Sequence, residues 1–149
     1  MPRHHVANCP SGAHRPPRAH LDPVLDAADA LSLFDLAMHR PLRPEIIAIL
    51  LDATGRGGTI VVVTEADDPD AVVSVVETMS LAAQADPGLC RLVVATVKPG
   101  SATQPGDIDR WLEASAVADV HGVELVEWFV IGPAGPECPR DLLGEPERW

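Results

Sequence analysis

Apolar residues along this chain fall into two patterns: unbroken runs of strand length, and recurrences three and four positions apart. The runs are Glu45-Ile-Ile-Ala-Ile-Leu-Leu51, Thr59-Ile-Val-Val-Val-Thr64, Arg91–Val97 and Val123–Ile131. Their length and β-branched content predict strands. Asp52-Ala-Thr-Gly-Arg-Gly-Gly58 separates the first two. Its glycines can take positive φ, so the pair predicts a hairpin. The same glycines do not make a phosphate loop. That pattern needs Gly-Lys-Ser/Thr and a following helix, whereas here β-branched residues follow at once.

The helical pattern occurs three times. Val24, Ala28, Leu31 and Phe34 recur at helical spacing after Asp22-Pro23, a start signal in which Asp caps and Pro takes the first turn. This helix should end before Pro41, near Met38-His39. His39 at such an end is most simply a favourable dipole contact when protonated. Asp67-Asp-Pro-Asp70 precedes a second helix whose face is Val72, Val75, Val76, Met79 and Ala83, with Met79 as core filler. Valine favours a strand over 71–76, but the acidic run and the Leu81-Ala-Ala-Gln-Ala85 end favour helix. Asp86-Pro-Gly88 closes it. A third helix spans 107–121, with Gly106 as cap and His121-Gly122 as stop. Ile108, Trp111, Leu112 and Ala116 should line its inner side. In the last strand, Glu124 and Glu127 should project to opposite faces, too far apart in direction to act as an acid/base pair. The element order implies a compact α/β domain.

Composition narrows the function. The chain has 149 residues, enough for one domain with a real core. Only 3% are aromatic, so Val, Leu, Ile and Ala must build that core. Of 11 basic residues three lie in the first twenty, leaving 8 against 22 acids, or −14, for the rest. A body that acidic repels phosphate backbones, so nucleic acid is not an expected partner. No run is long enough to span a membrane, and the N-terminus lacks the apolar stretch of a secretory signal. A soluble cytoplasmic protein is expected.

Cys9, Cys90 and Cys138 are widely spaced and form no CxxC pair, against a disulfide framework or structural zinc. Cys90 has no nameable base beside it and is expected to be a buried structural thiol. Residues 1–20 hold four His, three Arg and four Pro, and are expected to form a disordered tail. His4, His5, Cys9, His14 and His20 match no standard metal spacing. The domain proper is expected over 21–132. Residues 133–149 are rich in Pro and Gly. They wrap the domain, offer Trp149 to a partner or dangle, and the sequence leaves these alternatives open.

The segment Leu92-Val-Val-Ala-Thr-Val-Lys-Pro-Gly-Ser-Ala-Thr-Gln-Pro-Gly-Asp-Ile-Asp109 is an apolar strand, a Pro/Gly loop and a helix start. It resembles the metal-site segment of JAB/MPN (JAMM) domains, and the RadC-like branch in particular. Those domains carry Ala-His-x-His-Pro-Ser-Gly followed by Pro-x-Ser-x-x-Asp. Ala95, Pro99, Pro105 and Asp109 match; Gly106 stands at the Ser. Ile49-Leu-Leu-Asp-Ala53 resembles the end of the family's first strand, and Val123–Gly132 the strand ending Val-Ile-Gly. The resemblance covers roughly residues 22–132. It implies a single JAB/MPN-like domain with a mixed β-sheet flanked by helices.

The family's zinc is held by two His and one Asp, with one open position for an activated water and an upstream Glu as base. Thr96 and Lys98 stand at the two His positions, and Val61 or Val62 near the Glu. Thr has no imidazole nitrogen, a protonated Lys repels zinc, and the remaining Asp109 alone makes no site. The plain role of Asp109 is a first-turn acid at a helix N-terminus. The resemblance therefore implies a non-catalytic, metal-free member that needs no cofactor and acts through protein contacts, self-association included. Thr96, Lys98, Ser101 and Asp109 would mark its vestigial site. Two alternatives stay open: a hydrolase using Lys98, Ser101 and Asp109 in a non-standard way, or a regulatory domain with a small-ligand pocket.

Overall fold

The computed structural model describes residues 15–149. The metal-binding question posed by His4, His5, Cys9 and His14 lies outside them. The described elements are α1 (Ala27–Ala37), β1 (Glu45–Asp52), β2 (Thr59–Thr64), α2 (Ala71–Ala83), β3 (Leu89–Val97), α3 (Asp107–Val120), β4 (Glu124–Gly132), β5 (Gly135–Glu137) and α4 (Pro139–Leu143). The five strands form one mixed sheet in the order β2-β1-β3-β4-β5. Only the β3–β4 pair is parallel, with α3 as its crossover. The fold is a compact α+β domain.

Both faces of the central strands are covered, which explains their unbroken apolar runs. On one face Ile46, Ala48 and Leu50 of β1, with Leu92 and Val94 of β3, pack under α2 and α3 through Val72, Val76, Met79 and Trp111. On the other face Ile47, Ile49, Val93 and Ala95 pack against Ala30 and Phe34 of α1. Phe34 meets Phe129 of β4 edge to face, with ring centroids 5.9 Å apart, the geometry favoured by aromatic quadrupoles.

The hairpin turn is built by Asp52. Its Oδ1 accepts from the backbone N–H groups of Thr54 and Arg56 and from the Thr54 hydroxyl. Those bonds, led by the Thr54 hydroxyl, lower the carboxyl pKa. Gly55 is required there. Its φ is +88°, and a Cβ would come within 2.7 Å of the Val24 carbonyl oxygen.

Three local expectations need correction. Helix α1 starts at Ala27, not at Asp22-Pro23. Asp26 is extended and accepts from Asp29 N–H, while the Asp29 carboxylate accepts from Leu25 N–H. This reciprocal pair satisfies two orphan donors at the helix start, which Pro23 is too early to serve. Asp22 instead pairs with Arg18. Helix α3 begins after Gly106 as expected, but its buried face is Asp107, Trp111, Ala114, Ser115 and Ala118. Leu112 and Ala116 point to solvent. Ala114, Ser115 and Ala118 on this face let α2 pack against α3, while Trp111 fills the core. Cys90 is half-buried rather than buried.

Of the alternatives for residues 133–149, the chain wraps the domain. β5 pairs with β4, α4 packs on α3 and β4, and Arg148 lies 4.5 Å over the Trp111 ring. The Arg148 guanidinium also donates to the Leu125 carbonyl at 2.8 Å. Upstream, His20 N–H donates to the Gly57 carbonyl, so the chain is already engaged there.

Candidate functional site

The C-terminal end of β3 forms the floor of a cleft of about 170 Å³. Its walls come from the β2–α2 loop (Ala66, Asp67, Asp68, Pro69) and the β3–α3 loop (Lys98 to Ser101, with Gln104). Thr96 and Trp128 line its base. The β3–α3 loop lies hard against β4 at Gly132, where any side chain would strike the Ser101 carbonyl. Glycine is therefore what permits this close approach.

The structure brings Thr96, Lys98 and Ser101 to this one cleft. Asp109 is exposed and is not among the residues that line it. The Thr96 hydroxyl is engaged in the core. It accepts from the Trp128 indole N–H at 2.9 Å, and both residues are buried. A buried indole N–H needs an acceptor, and Thr96 supplies it across the parallel β3–β4 pair.

Lys98, the one lysine of the chain, is tied to β4 by its backbone N–H, which donates to the Ile131 carbonyl. Its side chain is 16% exposed, and Nζ lies 3.5 Å from Asp107 Oδ2. Asp107 is the residue that the sequence reading passed over. Its side chain is 1% exposed. Oδ2 also accepts from Gln104 N–H at 2.8 Å, and Oδ1 accepts from Arg110 at 2.9 Å. Arg110 continues to Asp70 at 2.9 Å, which joins the starts of α2 and α3. The Asp70 hydrogen bond leads the causes that raise the Arg110 pKa. The only legible signal for Asp107 was an acid directly after the capping Gly106. Among the described residues Lys98 Nζ is directed to Asp107 and no hydrogen bond joins it to Ser101.

Two further ionic pairs lie apart from the cleft. His39 closes α1 and finds a partner beyond the helix dipole. Its Nδ1 lies 2.7 Å from Glu45 Oε1, and its backbone N–H donates to Oε2 at 2.9 Å. Glu45 is fully buried and His39 is partly exposed. The signal missed here was an acid opening an apolar strand. Glu124 and Glu127 do not project to opposite faces as simple alternation predicted, because Leu125 and Trp128 pack in one core and Val126 and Phe129 in the other. A register shift falls between their strand partners. Glu124 remains exposed near Arg91, while Glu127 is buried against Arg140 at 2.8 Å. Burial raises the Glu127 pKa against the opposing pull of Arg140. Burial and the nearby negative charge of Glu127 push the Cys138 thiol up to about 12.

Among the described residues, no three His, Cys, Asp or Glu side chains cluster as metal ligands would, and no helix is long and apolar enough to cross a membrane. No protein-family model matches the chain, and no curated protein matches it.

Proposed function

We propose that this chain is a RadC/MPN-like domain whose metal site has been rebuilt as a structural element, and that it acts through contacts with other protein chains. One observation carries the reading. At the two positions that resemble histidine ligands, Thr96 holds the Trp128 indole and Lys98 pairs with Asp107. Both groups make bonds within the domain, and neither offers the imidazole nitrogen of a histidine ligand. Asp109, the one matching ligand type, stays in solvent. The mixed sheet and the parallel β3–α3–β4 unit support the resemblance without depending on it.

A small-ligand role at this cleft is less well supported; a larger open groove of about 510 Å³ lies between α1 and the β4–β5 turn. The cleft, at about 170 Å³, is smaller than the roughly 300–1,000 Å³ usual for such sites. Surface available for protein contact is present instead. β2 is an edge strand whose apolar residues are largely exposed.

The test is amide cleavage by the untagged full chain with added zinc, measured on an isopeptide-linked substrate. No metal-dependent cleavage is expected. Cleavage that requires zinc and disappears in Asp109→Ala would overturn the proposal, because it would return Asp109 to a ligand role.

A further inference from the structure

We infer that the cleft at the end of β3 binds a small aliphatic monocarboxylate, whose carboxylate meets the Lys98 ammonium and whose short carbon chain lies on Val72 and Trp128. This goes beyond the protein-contact reading and does not rest on it.

The physical case begins with an ammonium that the fold leaves short of acceptors. Lys98 is 16% exposed. Among the described residues its Nζ makes one contact, to Asp107 Oδ2 at 3.5 Å, at the outer limit of a hydrogen bond. An ammonium carries three donors. A sheltered cation is ordinarily met by more than one long contact, because the water it has lost must be replaced. Asp107 does not depend on Lys98 in return. Its Oδ2 already accepts from Gln104 N–H at 2.8 Å, and its Oδ1 from Arg110 at 2.9 Å.

Charge gives the sign of the ligand. The sheltered groups are Lys98, Arg110 and Asp107, two cations against one carboxylate. Asp70, the other partner of Arg110, is 76% exposed and screened by water. One positive charge is therefore left in the cleft wall, and a single carboxylate neutralises it through a charge-assisted bond. The opposite wall carries Asp67 and Asp68, both exposed. Those carboxylates oppose a second negative charge on the ligand, which disfavours phosphate.

Lining and size give the rest. Pro44, Val72 and Trp128 offer apolar surface to a carbon chain, while Ser101 and Gln104 border the same space and bring neutral donors. A volume of about 170 Å³ falls short of an ordinary metabolite site but admits a chain of a few carbons. The cleft also lies beyond the carboxyl end of a strand in the parallel β3–β4 pair, where α/β sheets commonly take their ligands.

The experiment is an NMR titration of the full chain, carbon-13-labelled at lysine, with sodium butyrate. Lys98 is the chain's single lysine, so its Cε gives one signal. That signal should shift saturably, with an affinity of about millimolar for so small a ligand. Butyramide has the same shape without the charge, and should bind about tenfold more weakly or worse through loss of the charge-assisted bond. Sodium chloride at matched ionic strength should leave the signal in place, and inorganic phosphate should bind no better than butyrate. Lys98→Met should abolish binding, read by calorimetry, while keeping the wild-type thermal transition. Should that variant fail to fold, the wild-type Lys98 signal decides by itself. The inference is overturned by no saturable shift up to about 50 mM butyrate, by an equal response to butyramide or chloride, by tighter binding of phosphate, or by a folded Lys98→Met variant that binds as wild type does.

Discussion

Replacing Thr96 by Val tests whether this position is structural. The two side chains have nearly the same shape, so no cavity opens and the change removes one acceptor. The Trp128 indole N–H, now 2.9 Å from the Thr96 oxygen, would be left without that partner in a base where Trp128 is 1% exposed. An unsatisfied buried donor costs roughly 1–3 kcal/mol. The unfolding entropy is about 2.1 cal/mol/K per residue, or ~0.28 kcal/mol/K over the roughly 135 described residues. A loss of ~2 kcal/mol should therefore lower Tm by ~7 °C. Calorimetry and tryptophan fluorescence would measure it. A double-mutant cycle with Trp128→Phe isolates the bond, since removing both partners should cost less than the sum of the single changes. Strict additivity, or a Thr96→Val variant as stable as wild type, would refute the structural role and reopen that position to chemistry.

Two further outcomes follow from the ionisable groups around β4. With the Cys138 thiol pushed to about 12, its thiolate fraction at pH 8 is ~10⁻⁴, against about a quarter for an ordinary thiol near pKa 8.5. Mass-spectrometric mapping should find Cys138 alkylated ~10³-fold more slowly in the folded chain than in urea; equal rates would refute its environment. Glu127 has a folded pKa raised by burial. The folded state thus holds its proton more tightly than the unfolded chain, and this contribution is fully present below the unfolded value near 4.5 and fades as pH rises through the raised one. Wild type should accordingly lose stability relative to Glu127→Gln between pH 4 and 7, read from urea midpoints. A gap that moves the other way would mean that the Arg140 ion pair outweighs burial.

The cleft shows how far the sequence reaches. Thr96, Lys98 and Ser101 could be placed near one another because they share a strand end and its loop. Asp107 could not be singled out, because its significance comes from Lys98 at the end of β3 and Arg110 one helical turn further on. Both cations converge only once the β3–α3 loop closes. Asp109 stood out through its match to a motif, yet two residues of helix rotate a side chain by about 200°, and the structure leaves it in solvent while Asp107 is buried.

By itself the sequence determined the elements and their kinds. β-branched runs between glycines dictated the β1–β2 hairpin, and apolar residues at helical spacing dictated α2, because these preferences act over a few neighbouring residues. Tertiary structure alone decided which of several similar residues was used. Asp26 caps α1 instead of Asp22 because its carboxylate reaches the Asp29 N–H. The inner face of α3 runs through Trp111, Ala114, Ser115 and Ala118, the small residues letting α2 pack against it, and leaves Leu112 outside. Residues 133–149 order because Arg148 finds the Trp111 ring and the Leu125 carbonyl, partners more than twenty residues away that no local pattern announces.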